Sequence, residues 1–103
     1  MKESDLMRSI MIEVSAAGHN VFRANVGLFY TQDGRPLKSG LPNGFSDLFG
    51  SRKGDAKSFY IEVKTATGRV SPAQTAFIEA MKKRGCIAGV ARSVEDALLI
   101  LEG

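Results

Sequence analysis

The sequence has 103 residues, 44% hydrophobic and 24% charged, the balance expected of one soluble globular domain over residues 1–103. Folding at this length buries only about 65% of the unfolded chain's surface, so a functional site must share residues with a modest core. A single cysteine, Cys86, and a single histidine, His19, exclude an intrachain disulfide framework and a Cys/His zinc site. Chemistry is left to carboxylates, lysine and hydroxyls. No stretch approaches the roughly 18 apolar residues of a membrane span. The start, Met-Lys-Glu-Ser-Asp, is acidic where a signal peptide is basic and then apolar, so a cytoplasmic protein with no membrane partner is expected. The net charge of +3 conceals an asymmetry: residues 20–92 hold twelve basic against five acidic side chains, or +7, and both flanks are negative. A basic middle is the footprint of a surface that neutralises phosphates, although scattered lysines on a solvated surface give the same count.

In chain order, residues 3–17 predict a helix, because Leu6, Met7, Ile10, Met11 and Val14 recur at helical spacing and Gly18 follows as a cap. Glu3 projects near the middle of that apolar stripe. A carboxylate there needs a partner or a metal, or else it sits in the first turn and favours the positive end of the helix dipole. Residues 20–27 alternate as a strand. Residues 28–31 follow, then the Asp33-Gly34 turn signal, suggesting a hairpin or a strand with a long excursion. Three glycines and two prolines make residues 34–44 read as a loop. Gly44 to Gly50 predicts a short strand, residues 51–57 a polar turn, and Phe59 to Lys64 the strongest strand. Ser71-Pro72-Ala73-Gln74 combines an N-cap serine, a proline at the first helical position and a capping-box glutamine. Cys86 to Ala91 predicts a buried strand and Ser93 caps a last helix. The expected order is αβββαβα, an α/β arrangement with helices on a mixed sheet.

Glu62 and Lys64, two residues apart on a strand, share one face. A tight connection through residues 51–57 makes the Asp47 segment an antiparallel neighbour and brings Asp47 beside Glu62. Two adjacent carboxylates raise each other's pKa unless a cation or a lysine stands between them. Mg²⁺ fits, since it is commonly held by one or two carboxylates plus waters and phosphates. Lys64 could then orient a water or stabilise phosphate charge. The same pattern also fits the solvated polar face of an edge strand.

Taken together, Gly44-Phe45-Ser46-Asp47, Ile61-Glu62-Val63-Lys64 and Gln74 resemble the PD-(D/E)xK nuclease signature in the form found in the VRR-NUC domain, the virus-type replication and repair nuclease. The resemblance covers nearly the whole chain, including the leading helix with Glu3 and the Phe22 to Gly27 segment. It implies a restriction-endonuclease-like α/β core and Mg²⁺- or Mn²⁺-dependent hydrolysis of DNA phosphodiesters. Asp47, Glu62 and the Val63 carbonyl would hold the metal. Lys64 would be the catalytic lysine, Gln74 a helper on water, lysine or phosphate, and Glu3 an acidic group bordering the site. Ser46 stands where the family's name-giving proline usually precedes the aspartate, which touches turn geometry more than chemistry. Gln74 is equally explained as a capping residue. Arg23 and Asn25 beside the site, Arg35 and Lys38 in the Gly/Pro loop, and Arg52 and Lys53 after Asp47 are candidates for DNA contact, while Lys82, Lys83 and Arg84 also suit a helix C-terminus. Stand-alone relatives resemble viral or phage repair enzymes and Holliday-junction-type resolvases. One small site cuts one strand, so junction cleavage calls for a homodimer. A nicking or flap nuclease within a larger complex, or a non-catalytic basic binding module, are the rival expectations.

Overall fold

A computed structural model of the chain describes residues 1–25, 28–38 and 40–103, without the side chains of Leu28, Phe29 and Lys38. The elements run α1 (Glu3–Ala16), β1 (Asn20–Arg23), β2 (Leu28–Tyr30), β3 (Pro36–Lys38), β4 (Leu48–Ser51), β5 (Ser58–Val63), α2 (Pro72–Lys83), β6 (Ile87–Ala91) and α3 (Val94–Glu102). Four strands form a mixed sheet in the order β1-β4-β5-β6. The first two pairings are antiparallel and β5 lies parallel to β6. A parallel pair needs a long crossover, and α2 supplies it.

The α/β class agrees with expectation, but two further strands enter the order. β2 and β3 pair only with each other, Leu28 opposite Lys38 and Tyr30 opposite Pro36. Part of the expected 34–44 loop is therefore strand, because the turn at Thr31 to Arg35 is tight enough to bring Pro36–Lys38 back onto β2. Thr31 N donates to Arg35 O at 2.9 Å, and Gly34 takes φ +84°. Val26 and Gly27, the end of the expected 20–27 strand, lie outside the described residues.

The expected strand at Gly44 to Gly50 begins only at Leu48. Gly44 adopts φ +86°, and a Cβ there would fall 2.4 Å from the Ala73 carbonyl oxygen in the first turn of α2. That close approach turns the chain before the strand starts. Phe45 then anchors the segment, its ring 4.8 Å from Phe77 and 5.8 Å from Tyr60 between centroids.

Alternation sorts the sheet into two faces. Leu48, Phe59, Ile61, Val63, Ile87 and Ala91 meet Leu6, Ile10 and Val14 of α1 and Ala97 and Leu101 of α3 in the main core. The opposite face presents Phe49, Tyr60 and Glu62 and is partly covered by α2 through Phe77 and Ile78. Both faces of β5 are thus covered, which explains why a sequence alternating polar and apolar residues ends in three consecutive buried ones, Ile61, Glu62 and Val63. Among the described residues no helix is long and apolar enough to cross a membrane.

Candidate metal centre

Asp47 immediately precedes β4. Because Leu48 pairs with Ile61, the next step of the antiparallel register sets Asp47 opposite Glu62, with both side chains on the α2 side. Two interactions hold this stretch. Ser46 is fully buried and its hydroxyl donates to the Leu48 carbonyl at 2.8 Å. Ala24 N donates to the Asp47 carbonyl at 2.8 Å. A serine in place of the signature proline therefore still gives a fixed turn, since its hydroxyl ties the backbone that a proline ring would stiffen.

The Asp47 carboxylate is itself oriented, with Oδ2 accepting from Val63 N at 2.9 Å. A strand residue points its N–H and C=O toward the same neighbour, so Val63 also directs its carbonyl to the β4 side. Glu62 is 1% exposed, and its Oε2 is buried without a hydrogen-bond partner. Burial, then a hydrogen bond and charge repulsion from Asp47, push its carboxyl up to about 9; Lys64 pulls in the other direction and Glu3 adds a weaker push. An orphaned carboxylate oxygen beside a second carboxylate is costly unless a cation completes it. Among the described residues no three His, Cys, Asp or Glu side chains cluster as a metal cage. Two carboxylates and a backbone carbonyl fit instead an oxygen-loving ion that keeps several waters.

The other candidates fall in different places. Lys64 follows β5, half-buried, with its backbone N donating to the Ala91 carbonyl at 3.0 Å. Glu3 is exposed at the start of α1, close enough to act on Glu62 through charge but in no cluster with it. Gln74 spends its Oε1 on Ser71 N at 2.9 Å, while Gln74 N donates to Ser71 Oγ at 3.1 Å. The capping role is therefore realised, and Gly44 packed on Ala73 keeps this helix start near the Asp47 segment.

The basic residues are not gathered at the carboxylates. Arg23 pairs with Leu48, so it projects on the core side of the sheet, away from Glu62. Asn25 is exposed just past β1. Arg35 lies in the β2–β3 turn in an exposed ion pair with Asp33 at 3.0 Å; the Lys38 side chain is outside the described residues. Arg52 and Lys53 sit at the far end of β4, beside a cleft of about 520 Å³ that does not include the carboxylates. Arg52 donates to Asp55 at 3.2 and 2.6 Å and to the Leu101 carbonyl at 2.9 Å. Lys53 is exposed, and its backbone N donates to His19 Nδ1 at 2.8 Å. Sequence reasoning passed over Arg92, whose guanidinium reaches the carbonyls that follow Lys64. Nothing in the sequence marks it, because that contact spans 27 positions and needs the β5–β6 pairing.

A mixed four-stranded sheet flanked by three helices, with Asp47 opposite Glu62 on one face, defines an α/β fold. The chain belongs to the VRR-NUC domain family, which matches residues 9–95. Glu3 precedes the matched segment. The fold resembles two solved structures, one described as a VRR_NUC domain (TM-score 0.67, 21% identity, 97% of this chain and 94% of that one) and one as a VRR_NUC domain protein (TM-score 0.63, 20% identity, 99% and 86%). At that identity the likeness is one of fold. No curated protein gives a significant match.

Proposed function

We propose that the chain is a metal-dependent DNA endonuclease that hydrolyses phosphodiester bonds at the Asp47–Glu62 pair. The observation that carries this reading is the buried, unpartnered Oε2 of Glu62 set opposite Asp47. Asp47, Glu62 and the Val63 carbonyl would hold Mg²⁺ or Mn²⁺. The ion supplies positive charge and Lewis acidity at the phosphate when bound. Asp47 is held in position by Val63 N, so its carboxylate needs little rearrangement. Glu62 gives up its proton on loading. Lys64, on the same side of the strand, orients the attacking water or balances charge on the phosphate oxygens. Gln74 assists from the start of α2 through the amide nitrogen that the cap does not use.

Phosphate contacts from basic residues position DNA without reading its bases, so this reading favours recognition of DNA shape over base sequence. Branched or junction DNA in viral or phage replication and repair is the substrate class this reading favours. A homodimer would then supply the second cut. A nicking or flap nuclease acting as a subunit of a larger assembly differs in product pattern.

The test uses purified protein with Mg²⁺ or Mn²⁺ on junction, flap and linear DNA, beside Glu62→Gln and Lys64→Ala. Metal-dependent cleavage reduced about a hundredfold or more in both variants is expected. Paired incisions on the junction indicate the dimer, and flap removal indicates the second reading. Salt-sensitive binding with no metal-dependent product, or cleavage undiminished in both variants, overturns the assignment.

A further inference from the structure

Arg92 lies between β6 and α3, and its Nη1 donates to the carbonyls of Thr65 at 2.6 Å and Gly68 at 2.8 Å, with a longer contact to Ala66 at 3.4 Å. One guanidinium thus closes the turn that leaves β5 directly after Lys64. The turn is also closed from within, since Gly68 N donates to the Thr65 carbonyl at 3.1 Å. It runs beside the lysine: the space a Cβ at Gly68 would occupy is 3.5 Å from both Cβ and Cδ of Lys64. The base of Arg92 is fixed in turn. Its backbone N donates to Asp96 Oδ2 at 2.9 Å, and Asp96 N donates to the α3 cap Ser93 Oγ at 3.0 Å. A chain of hydrogen bonds therefore runs from the first turn of α3, through Arg92, to the 65–68 turn that flanks the stem of Lys64.

A lysine ammonium rides on a flexible four-carbon stem and must be oriented before it can act on a reacting group. The backbone of Lys64 is anchored by Ala91, but that bond leaves the side chain free to rotate. The 65–68 turn lies alongside that stem. Two carbonyls at 2.6 and 2.8 Å match the two hydrogens of Nη1 in a guanidinium, which carries only donors.

We propose that Arg92 is a positioning residue for Lys64, acting through the 65–68 turn. This rests on the role of Lys64 in cleavage proposed above. The guanidinium touches neither carboxylate in the contacts it makes, so the metal-holding set stays intact without it. A cleft of about 320 Å³ bordered by Met1, Leu6, Thr65 and Arg92 gives free guanidinium access to the same carbonyls once the side chain is removed.

The experiment compares Arg92→Ala and Lys64→Ala with the native chain. In metal-free Arg92→Ala, amide hydrogen exchange speeds up across residues 65–68 while residues 59–63 stay protected. Mn²⁺ affinity measured by calorimetry is unchanged. Under saturating metal, kcat falls about tenfold with KM for DNA unaltered, and millimolar guanidinium restores kcat in Arg92→Ala but not in Lys64→Ala. Native exchange and native kcat in Arg92→Ala, a loss that guanidinium fails to restore, or a parallel loss of Mn²⁺ affinity would each overturn the proposal. Lys64→Ala separates the two levels. Native cleavage in that variant removes the underlying reading and the proposal with it, whereas loss there beside a fully active Arg92→Ala removes the proposal alone.

Discussion

The Asp47 carboxylate accepts a hydrogen bond from the backbone nitrogen of Val63 at 2.9 Å, so the side chain just before β4 is tied to the residue that follows Glu62 on β5. The bond does two jobs that substitution can separate. Asp47→Asn keeps an oxygen that accepts from Val63 N but loses the charge; Asp47→Ala loses both. The asparagine variant should therefore fold with near-native stability, because its amide oxygen keeps the bond from Val63 N. The alanine variant should lose about 1–2 kcal/mol in urea unfolding, the cost of leaving the Val63 N–H unsatisfied. Neither should bind Mn²⁺ with native affinity by calorimetry. Equal stability of both variants would show that the bond contributes nothing.

Glu62 sets the pH dependence of the metal-free protein. Its carboxyl sits at about 9 against an ordinary 4.5. Between these values the folded state holds a proton that the unfolded state has lost, so stability falls as pH rises, by at most about 1.4 kcal/mol per pH unit for one group. Burial is the largest cause, Asp47 and Glu3 push the same way, and Lys64 opposes. Urea midpoints across this window in the presence of a chelator should decline in the native chain and flatten in Glu62→Gln. An equal decline in both would assign it to another group.

Metal loading should reverse this protonation. With the Glu62 carboxyl at about 9, Mn²⁺ binding at neutral pH must expel its proton before Oε2 can serve as a ligand. Calorimetric titrations in buffers of different ionisation enthalpy should give a release approaching one proton at neutral pH, vanishing above about pH 9. Release independent of pH would mean that Glu62 is already ionised in the metal-free chain.

Much of this site is legible from local rules. The polar turn at residues 51–57 makes β4 and β5 neighbours, and strand alternation then puts Glu62 and Lys64 on one side. What local rules miss is which surfaces meet. The alternating pattern also fits a solvated face for Glu62, yet Glu62 is buried, on the face of the sheet where Phe45 and Phe77 pack against Tyr60. Arg52 stands five positions after Asp47, and strand rise carries it roughly 15 Å away to the opposite end of the sheet. Arg23 pairs with Leu48, the residue next to Asp47, but that register turns it to the other side of the sheet. The β2–β3 ladder hides behind prolines and glycines because its two strands are only three residues each. A pairing that short leaves little periodicity to detect.

Gln74 carries two roles that one substitution distinguishes. Its Oε1 accepts from Ser71 N at 2.9 Å, a contact that a glutamate also makes. Gln74→Glu should therefore retain native stability, while Gln74→Ala loses roughly 0.5–1 kcal/mol through half of the capping box. The glutamate lacks the amide donor, so a drop in kcat at unchanged stability in Gln74→Glu would come from the nitrogen. Native kcat in that variant would confine Gln74 to the cap.

Arg52 should behave as a structural residue. Its donors are committed to Asp55 and to the Leu101 carbonyl near the end of α3, and this guanidinium, ahead of the Lys57 N–H, holds the Asp55 carboxyl well below the usual carboxylate range. A lowered carboxylate contributes stability above its unfolded value of 3.8, and that contribution is lost as pH falls further. Arg52→Ala should therefore melt at a lower temperature than the native chain at neutral pH, with the gap narrowing in acid. The pair is exposed enough for solvent to screen it, so the shift should be modest. DNA affinity measured against salt concentration should keep its native slope, because a phosphate contact would reduce that slope when removed. A shallower slope in Arg52→Ala would restore this residue to the DNA-binding surface.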